Sequence, residues 1–222
     1  MNVIQPYAYI RKGEMDKSKL LNIEYAARLC YKSEGKMTDE PNEKFLSNII
    51  TRQHESVLEH EKVTVYFVVD RGVTHEIVRH RVGSYSQEST RYCNYSGDKF
   101  GNEITVIEPF YYIEDSHKYN KWKDTCKTIE EAYIQLLEIS SPQEARAILP
   151  NSLKTEIAVT YNFREWRHFF KLRCHESAHP QMQQVTIPLL LKFKEVFSPI
   201  FDSIEYNEKF PLEHYGRIQL ID

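Results

Sequence analysis

The 222-residue chain is short of several features that usually settle a protein's class. Its four cysteines, Cys30, Cys93, Cys126 and Cys174, contain no Cys-x-x-Cys pair, the spacing used by zinc ribbons and dithiol redox centres. No apolar run approaches the roughly 20 residues a helix needs to cross a bilayer. A charged-then-apolar leader is missing too, so a cytoplasmic protein with reduced thiols and no membrane association is expected. No Gly-x-Gly-x-x-Gly links a strand to a helix, so a Rossmann-type dinucleotide site is not indicated. Repeats, low-complexity tracts and an interdomain linker are also absent, which predicts one domain over residues 1–222. Nor is there a basic excess: 29 Lys and Arg against 32 Asp and Glu leave a net charge of −3. Nucleic-acid binders normally show the opposite balance, so any local arginine cluster here points to a small anionic ligand.

Such a cluster is present. Arg79-His80-Arg81-Val82-Gly83-Ser84-Tyr85-Ser86-Gln87-Glu88-Ser89-Thr90-Arg91-Tyr92 sets three arginines and a histidine among serines and tyrosines. Guanidinium forks match phosphate and carboxylate oxygens, hydroxyls add short donors, and Gly83 lets the backbone approach a ligand closely. An anion-gripping loop is one reading and a solvated basic turn the other. Hydrophobic residues at 41% and charged residues at 27% are ordinary for a globular chain able to bury a core. The 15 tyrosines and 11 phenylalanines suit planar ligands and core packing equally.

Periodicity supplies a coarse map. Residues 2–10 read as a short strand interrupted by Pro6, Asp16 to Tyr31 as a helix, and a second helix starts near Asp39-Glu40-Pro41 with the proline just inside. Val63 to Val69 is the clearest strand. Asp70-Arg71-Gly72 turns it into a helix from Val73 to Arg79. Asn94 to Asn102 reads as a loop and Ile104 to Ile107 as a strand. Glu114 to Ile139 reads as one long amphipathic helix, structural or a subunit contact. Pro142 to Pro150 is a helical turn whose Arg146 pairs by default with Glu144 or solvent. Ile157 to Thr160 favours a strand, Asn162 starts a helix, and Met182 to Phe201 forms a last helix that Pro188 should kink or restart. The tail at Ile221-Asp222 carries no signal. On the Asn162 helix, Arg164, His168 and Lys171 share a face.

Three metal motifs fail on spacing. His54 and His60 lack a familiar ligand interval, so capping of the neighbouring helix and strand ends is the stronger reading. His75 and His80 lie five apart, roughly 140° around a helix. His175-Glu176-Ser177-Ala178-His179 is a literal His-Glu-x-x-His, but Pro180 pushes His179 out of helical geometry. No metal is expected.

The segment with Arg79, His80, Arg81, Ser84, Ser89, Arg91 and Tyr92 resembles the signature of the flavin-dependent thymidylate synthases. Ser86-Gln87 stands where many members carry Asn-Glu. Three further stretches resemble family segments in the same order: His54-x-Ser56-x-x-Glu59-His60, Glu144-Ala145-Arg146-x-x-Leu149-Pro150, and Asn162-x-Arg164 with Arg173. His168 stands where Asn is frequent. The resemblance implies FAD contacts from His54, Ser56, Arg79, His80, Arg81, Gln87, Asn162, Phe163, Arg164 and His168, with Glu59 holding the loop. It implies dUMP contacts from Glu76, Ile77, Val78, Arg79, Gln87, Glu88, Ser89, Thr90, Arg91, Arg146 and Arg173. The implied reaction is reductive methylation of dUMP to dTMP, with methylenetetrahydrofolate giving the carbon and NADPH reducing FAD. A homotetramer with shared active sites follows by the same resemblance.

The expected fold is α+β, a mixed or antiparallel sheet packed by helices. Two neighbours compete for the catalytic role. Arg173 can stabilise charge developing on a pyrimidine, whereas Cys174 is a tempting nucleophile if Arg173 and His175 depress its pKa. Flavin chemistry needs no protein–uracil adduct, so Arg173 is the expected catalytic residue. The rival class is a non-catalytic nucleotide- or RNA-binding module using the same arginines and tyrosines, which the net acidity disfavours.

Overall fold

The computed structural model describes residues 1–95, 97 and 101–222. Strands β1 (Asn2–Ile4) and β2 (Tyr7–Arg11) open the chain, followed by helices α1 (Ser18–Cys30) and α2 (Glu43–Thr51). Then come β3 (Lys62–Asp70), α3 (Arg71–Ile77), β4 (Ser84–Gln87) and β5 (Thr105–Ile107). The long α4 (His117–Ile139), the single turn α5 (Pro142–Ala145), β6 (Lys154–Asn162), α6 (Phe163–Arg173), α7 (Pro180–Phe197) and β7 (Arg217–Ile221) complete it. Five strands form one sheet in the order β4-β6-β3-β2-β7, and β1 pairs with β5 in a second. β1–β5 and β2–β7 are both parallel, so the wholly antiparallel alternative is excluded and the fold is α+β with mixed elements.

The chain separates into two compact units, one of residues 1–6, 68–78 and 86–157, the other of residues 7–67, 79–85 and 158–222. Neither is a contiguous stretch, because β3 and β6 each contribute to both.

In the first unit, α4 buries Tyr119, Cys126 and Tyr133. Their seven-residue spacing is close to two helical turns, so all three fall on one face. Cys126 and Tyr133 join Tyr95, Ile104, Val106 and Leu153 in one cluster. Ser116 starts α4 by accepting from Tyr119 N at 3.2 Å.

The second unit has an aromatic core. Trp166 lies 5.3 Å from Phe193 and 5.4 Å from Phe170 between ring centroids, and its Nε1–H donates to Val63 O at 3.0 Å. Trp166, Phe169, Phe170, Phe193 and Phe197 are fully buried. Truncating one such aromatic costs about 3–5 kcal/mol, so α6 and α7 are fixed to each other by packing.

Several boundaries differ from the sequence reading, for local reasons. Asp70 is the N-cap of α3, its Oδ1 accepting from Val73 N at 2.8 Å. The helix therefore begins at Arg71 and ends at Ile77, leaving Arg79 outside. Asn42, not the Asp39–Pro41 stretch, caps α2, accepting from Phe45 N at 2.9 Å. Pro188 neither breaks nor restarts α7. Proline cannot bond the carbonyl four residues back, and Gly216 N donates to that carbonyl, Gln184 O, at 2.7 Å instead. The C-terminal tail is not without role: Arg217–Ile221 pairs with Tyr7–Arg11 residue for residue. Part of the arginine-rich stretch is strand β4, with Tyr85 and Gln87 turned inward between exposed Ser84 and Ser86. The loop expected from Asn94 to Asn102 lies partly outside the described residues.

Candidate functional site

In the second unit, the chain beyond Val78 buries His80 while Arg79 and Arg81 stay exposed. Gly83 is needed for a reason the sequence hid. A Cβ there would lie 2.3 Å from Cδ1 of Tyr161, so this glycine makes room for an aromatic ring. Tyr85 Oη donates to His80 O, and its hydroxyl also shares a 2.8 Å hydrogen bond with Tyr161 Oη. Burial raises the pKa of both phenols, so they stay protonated and keep the segment pinned.

His80 is the hub. Its Nδ1 is 3.0 Å from Glu165 Oε1, and its Nε2 accepts from Arg173 Nε at 3.1 Å. A guanidinium Nε always carries hydrogen, so Nε2 must be the bare nitrogen and Nδ1–H must donate to Glu165. Burial, then electrostatic opposition from Arg173 and His168, push the His80 pKa down to about 4. Burial raises Glu165, with His168 opposing. Phe169 and His168 meet the imidazole edge-on at 4.9 and 5.4 Å. His80, Glu165 and His168 bring potential ligand atoms within 4.8 Å of one another. With both His80 nitrogens engaged and a guanidinium alongside, the cluster reads as a hydrogen-bonded relay.

The relay hangs from α6, whose start the sequence dictates. Asn162 caps it by accepting from Glu165 N at 2.8 Å. The helix then shows Arg164, His168 and Lys171 to a cleft of about 520 Å³ that Asn162, Glu55 and Glu59 also line. Arg164 Nη1 donates to Glu59 Oε1 at 2.6 Å, and buried Arg167 donates to Glu55 Oε1 at 3.2 Å. These two bonds tie the Glu55–His60 turn to α6, the holding role expected of Glu59. The cleft sets Arg164, Arg167, Lys171, His168 and the capping amide among three carboxylates, Glu55, Glu59 and Glu165, so it offers a polar ligand both donors and acceptors.

Other candidates sit apart or inward. His54 lines a separate cleft of about 180 Å³ with Tyr31 and Arg52, its Nδ1 2.9 Å from Tyr31 Oη. Ser56 is exposed in the turn after it. Phe163 is fully buried against Phe197 and Phe201, so its side chain belongs to the core. A larger cleft of about 600 Å³ runs past His175, Lys194, Asp202 and Tyr206 and holds none of the expected residues.

The first unit carries the remaining set. Gln87 Nε2 donates to Thr74 Oγ1 at 3.1 Å and Thr155 Oγ1 at 3.2 Å. Glu88 accepts from Tyr95 Oη at 2.9 Å and Lys154 Nζ at 2.8 Å. Arg146 Nη1 reaches Thr90 Oγ1 at 3.4 Å, and Ser89 Oγ accepts from Arg91 N at 3.3 Å. Arg91, Arg146 and Val78 are exposed, Glu76 is half-buried, and Ile77 is buried.

Comparison with known proteins places this geometry. Residues 14–199 match the family described as thymidylate synthase complementing protein. A flavin-dependent thymidylate synthase of Geobacter sulfurreducens is 37% identical over 186 residues, covering 79% of this chain and 78% of its own. The chain belongs to the flavin-dependent thymidylate synthase family. The enzyme of that name from Mycobacteroides abscessus is 31% identical over 202 residues, covering 82% of this chain and 78% of its own. A crystal structure of the UMP/dUMP methylase PolB from Streptomyces cacaoi, bound with 5-Br dUMP, superposes with a TM-score of 0.75. It covers 91% of this chain and 96% of its own at 19% identity; at that identity the likeness is one of fold.

All four segments that resemble flavin-dependent thymidylate synthases lie inside the matched region. Their neighbours include groups that sequence reasoning missed. Glu165 stands three residues after a helix cap, where a glutamate normally serves the helix start, so nothing marked it as a partner of His80. Tyr161 was one tyrosine among 15. Cys174, beside Arg173, is fully buried, and burial pushes its thiol up to about 12. It is therefore neutral near pH 7, the reverse of an activated nucleophile.

Proposed function

We infer that the chain methylates dUMP reductively to dTMP, taking the carbon from methylenetetrahydrofolate and the electrons from NADPH by way of FAD. Family membership carries the substrates and cofactor. One observation supports the chemical division of labour: α6 ends in an arginine held by a buried imidazole, next to a thiol that stays protonated.

Arg173 is the catalytic residue in this reading. Carbon C5 of uracil becomes nucleophilic only as negative charge spreads over the carbonyl and N3. A guanidinium already fixed in place stabilises that charge without reorganising. Glu76, Ile77, Val78, Arg79, Gln87, Glu88, Ser89, Thr90, Arg91 and Arg146 are the dUMP-binding set, Arg91 and Arg146 on the phosphate, Ile77 through its backbone. The cofactor set is His54, Ser56, Arg79, His80, Arg81, Gln87, Asn162, Phe163, Arg164 and His168. Exposed cations and a capping amide on α6 suit a flavin dinucleotide, and Phe163 contributes backbone alone. When bound, FAD supplies the electron-transfer chemistry that no side chain here can.

The chain acts as one functional domain, since neither compact unit is contiguous in sequence. A homotetramer agrees with the exposed apolar side chains Tyr25 and Leu29, one turn apart on α1. A cytoplasmic setting agrees with four free cysteines. Among the described residues no helix is long and apolar enough to cross a membrane.

The test is direct. Purified protein should be yellow, release FAD on denaturation, and form dTMP only when NADPH and methylenetetrahydrofolate are both present. A flavin-free protein with salt-sensitive affinity for RNA would establish the binding-module alternative instead.

A further inference from the structure

We propose that Glu165 is a positioning residue: through His80 it fixes the orientation of the Arg173 guanidinium. The inference rests on Arg173 being the group that activates the pyrimidine. Glu165 occupies the third position of α6, where a glutamate side chain ordinarily turns back to the N-cap amide. Here its Oε1 faces His80 Nδ1 at 3.0 Å, a residue 85 positions earlier in sequence. Both partners are almost wholly buried, Glu165 at 8% and His80 at 4% exposure, so water competes poorly for the bond between them.

The imidazole makes the coupling specific. Neutral histidine carries its proton on one nitrogen only. With Glu165 accepting from Nδ1–H, Nε2 is left to accept from Arg173 Nε at 3.1 Å. Without that acceptor, the tautomer with hydrogen on Nε2 becomes competitive and sets N–H against N–H at Arg173. Glu165 is the group that meets Nδ1 at hydrogen-bond distance. His168 and Phe169 pack against the ring in edge contacts, Tyr161 is tilted at 6.1 Å between centroids, and the Tyr85 hydroxyl donates to His80 O. Arg173 O is fixed independently, accepting from Thr186 Oγ1 at 2.9 Å, so the relay governs the side chain and not the helix end. A guanidinium that must meet developing charge in one geometry loses part of its effect when its Nε anchor is weakened.

Two substitutions separate this role from a structural one. Glu165→Gln keeps a carbonyl acceptor for Nδ1–H, so the FAD-loaded enzyme should keep kcat within about threefold. Glu165→Met removes the acceptor while keeping bulk, and kcat should fall about 10–100-fold, the range seen when an orienting partner is lost. The loss in kcat should exceed any change in KM for dUMP or in FAD affinity. Nitrogen-15 NMR of His80 gives a readout independent of turnover. Parent and Glu165→Gln should show hydrogen on Nδ1, and Glu165→Met a shift toward Nε2. A parent protein with hydrogen on Nε2 overturns the proposal even if Glu165→Met fails to fold. So does a folded Glu165→Met enzyme with parental kcat. An Arg173→Lys enzyme with parental turnover would instead remove the role of Arg173, leaving the tautomer measurement to judge the relay alone.

Discussion

Arg173 in one compact unit and Arg146 in the other each lie at the end of a helical segment, but they are held differently. Arg173 is half-buried, and its Nε meets a buried imidazole that is itself gripped by a buried carboxylate. Arg146 is exposed, and its Nη1 meets the Thr90 hydroxyl at 3.4 Å, near the limit of a useful hydrogen bond. Arg91 is likewise exposed, lying over the Tyr92 ring at 5.4 Å. The fold thus spends buried polar groups on the arginine proposed to activate the pyrimidine. The two arginines proposed for the phosphate lie exposed, for a ligand to order. A buried polar chain is worth its desolvation only when every member is satisfied, and a surface cation carries no such requirement.

The largest effect that would break this contrast concerns the exposed pair. Arg91→Ala or Arg146→Ala should each weaken dUMP by about 10–150-fold, the value of a charge-assisted hydrogen bond of roughly 1.5–3 kcal/mol. Calorimetry with deoxyuridine should show almost no change. Equal weakening of both ligands would mean that these arginines do not serve the phosphate.

A smaller effect lies in the pH dependence of stability. His80 titrates near 4 in the folded chain, below the ordinary value of about 6.5. Its contribution is complete above about pH 6.5 and is lost as pH falls toward 4, because the unfolded chain then binds the extra proton. The contribution is at most on the order of 3 kcal/mol. Glu165, raised by burial, has the opposite sign and makes the net slope shallower. Urea midpoints at pH 7 and 4.5 should therefore drop further for the parent than for His80→Gln. An equal drop would mean that His80 is not held neutral by its surroundings.

The smallest effect is a reactivity that should be missing. Cys30 is exposed, whereas Cys174 is buried with its thiol near 12. Mass spectrometry after alkylation at neutral pH should find Cys30 modified and Cys174 intact. Rapid modification of Cys174 in folded protein would reopen its case as a nucleophile.

What could be read in advance followed from local chemistry. Asn162 before an amphipathic run announced α6, and Arg79 to Tyr92 resembled the signature of the family that the comparisons then showed. The seven-residue recurrence of Tyr119, Cys126 and Tyr133 lay within the long helix the sequence predicted. What escaped depended on partners remote in sequence. β7 has no strong pattern of its own, and its place depends on pairing with β2 some two hundred residues earlier. Pro188 looked like a break because nothing local shows that Gly216 takes the orphaned carbonyl. Glu165 has the right type and place for a helix start, so its bond to His80 becomes visible only once the chain is folded. The close fit of Gly83 to the Tyr161 ring joins residues 78 positions apart, which no local pattern shows.

The most direct measurement compares dTMP formation by Arg173→Lys and Cys174→Ala, each FAD-loaded, with NADPH and methylenetetrahydrofolate supplied. Lysine keeps the charge of Arg173 but loses the planar fork and the Nε–H that meets His80, so turnover should fall by about 10²–10³. Cys174→Ala should stay within several-fold of the parent. An active Arg173→Lys enzyme beside a folded, FAD-binding but inactive Cys174→Ala enzyme would contradict the assignment and make the thiol the reacting group.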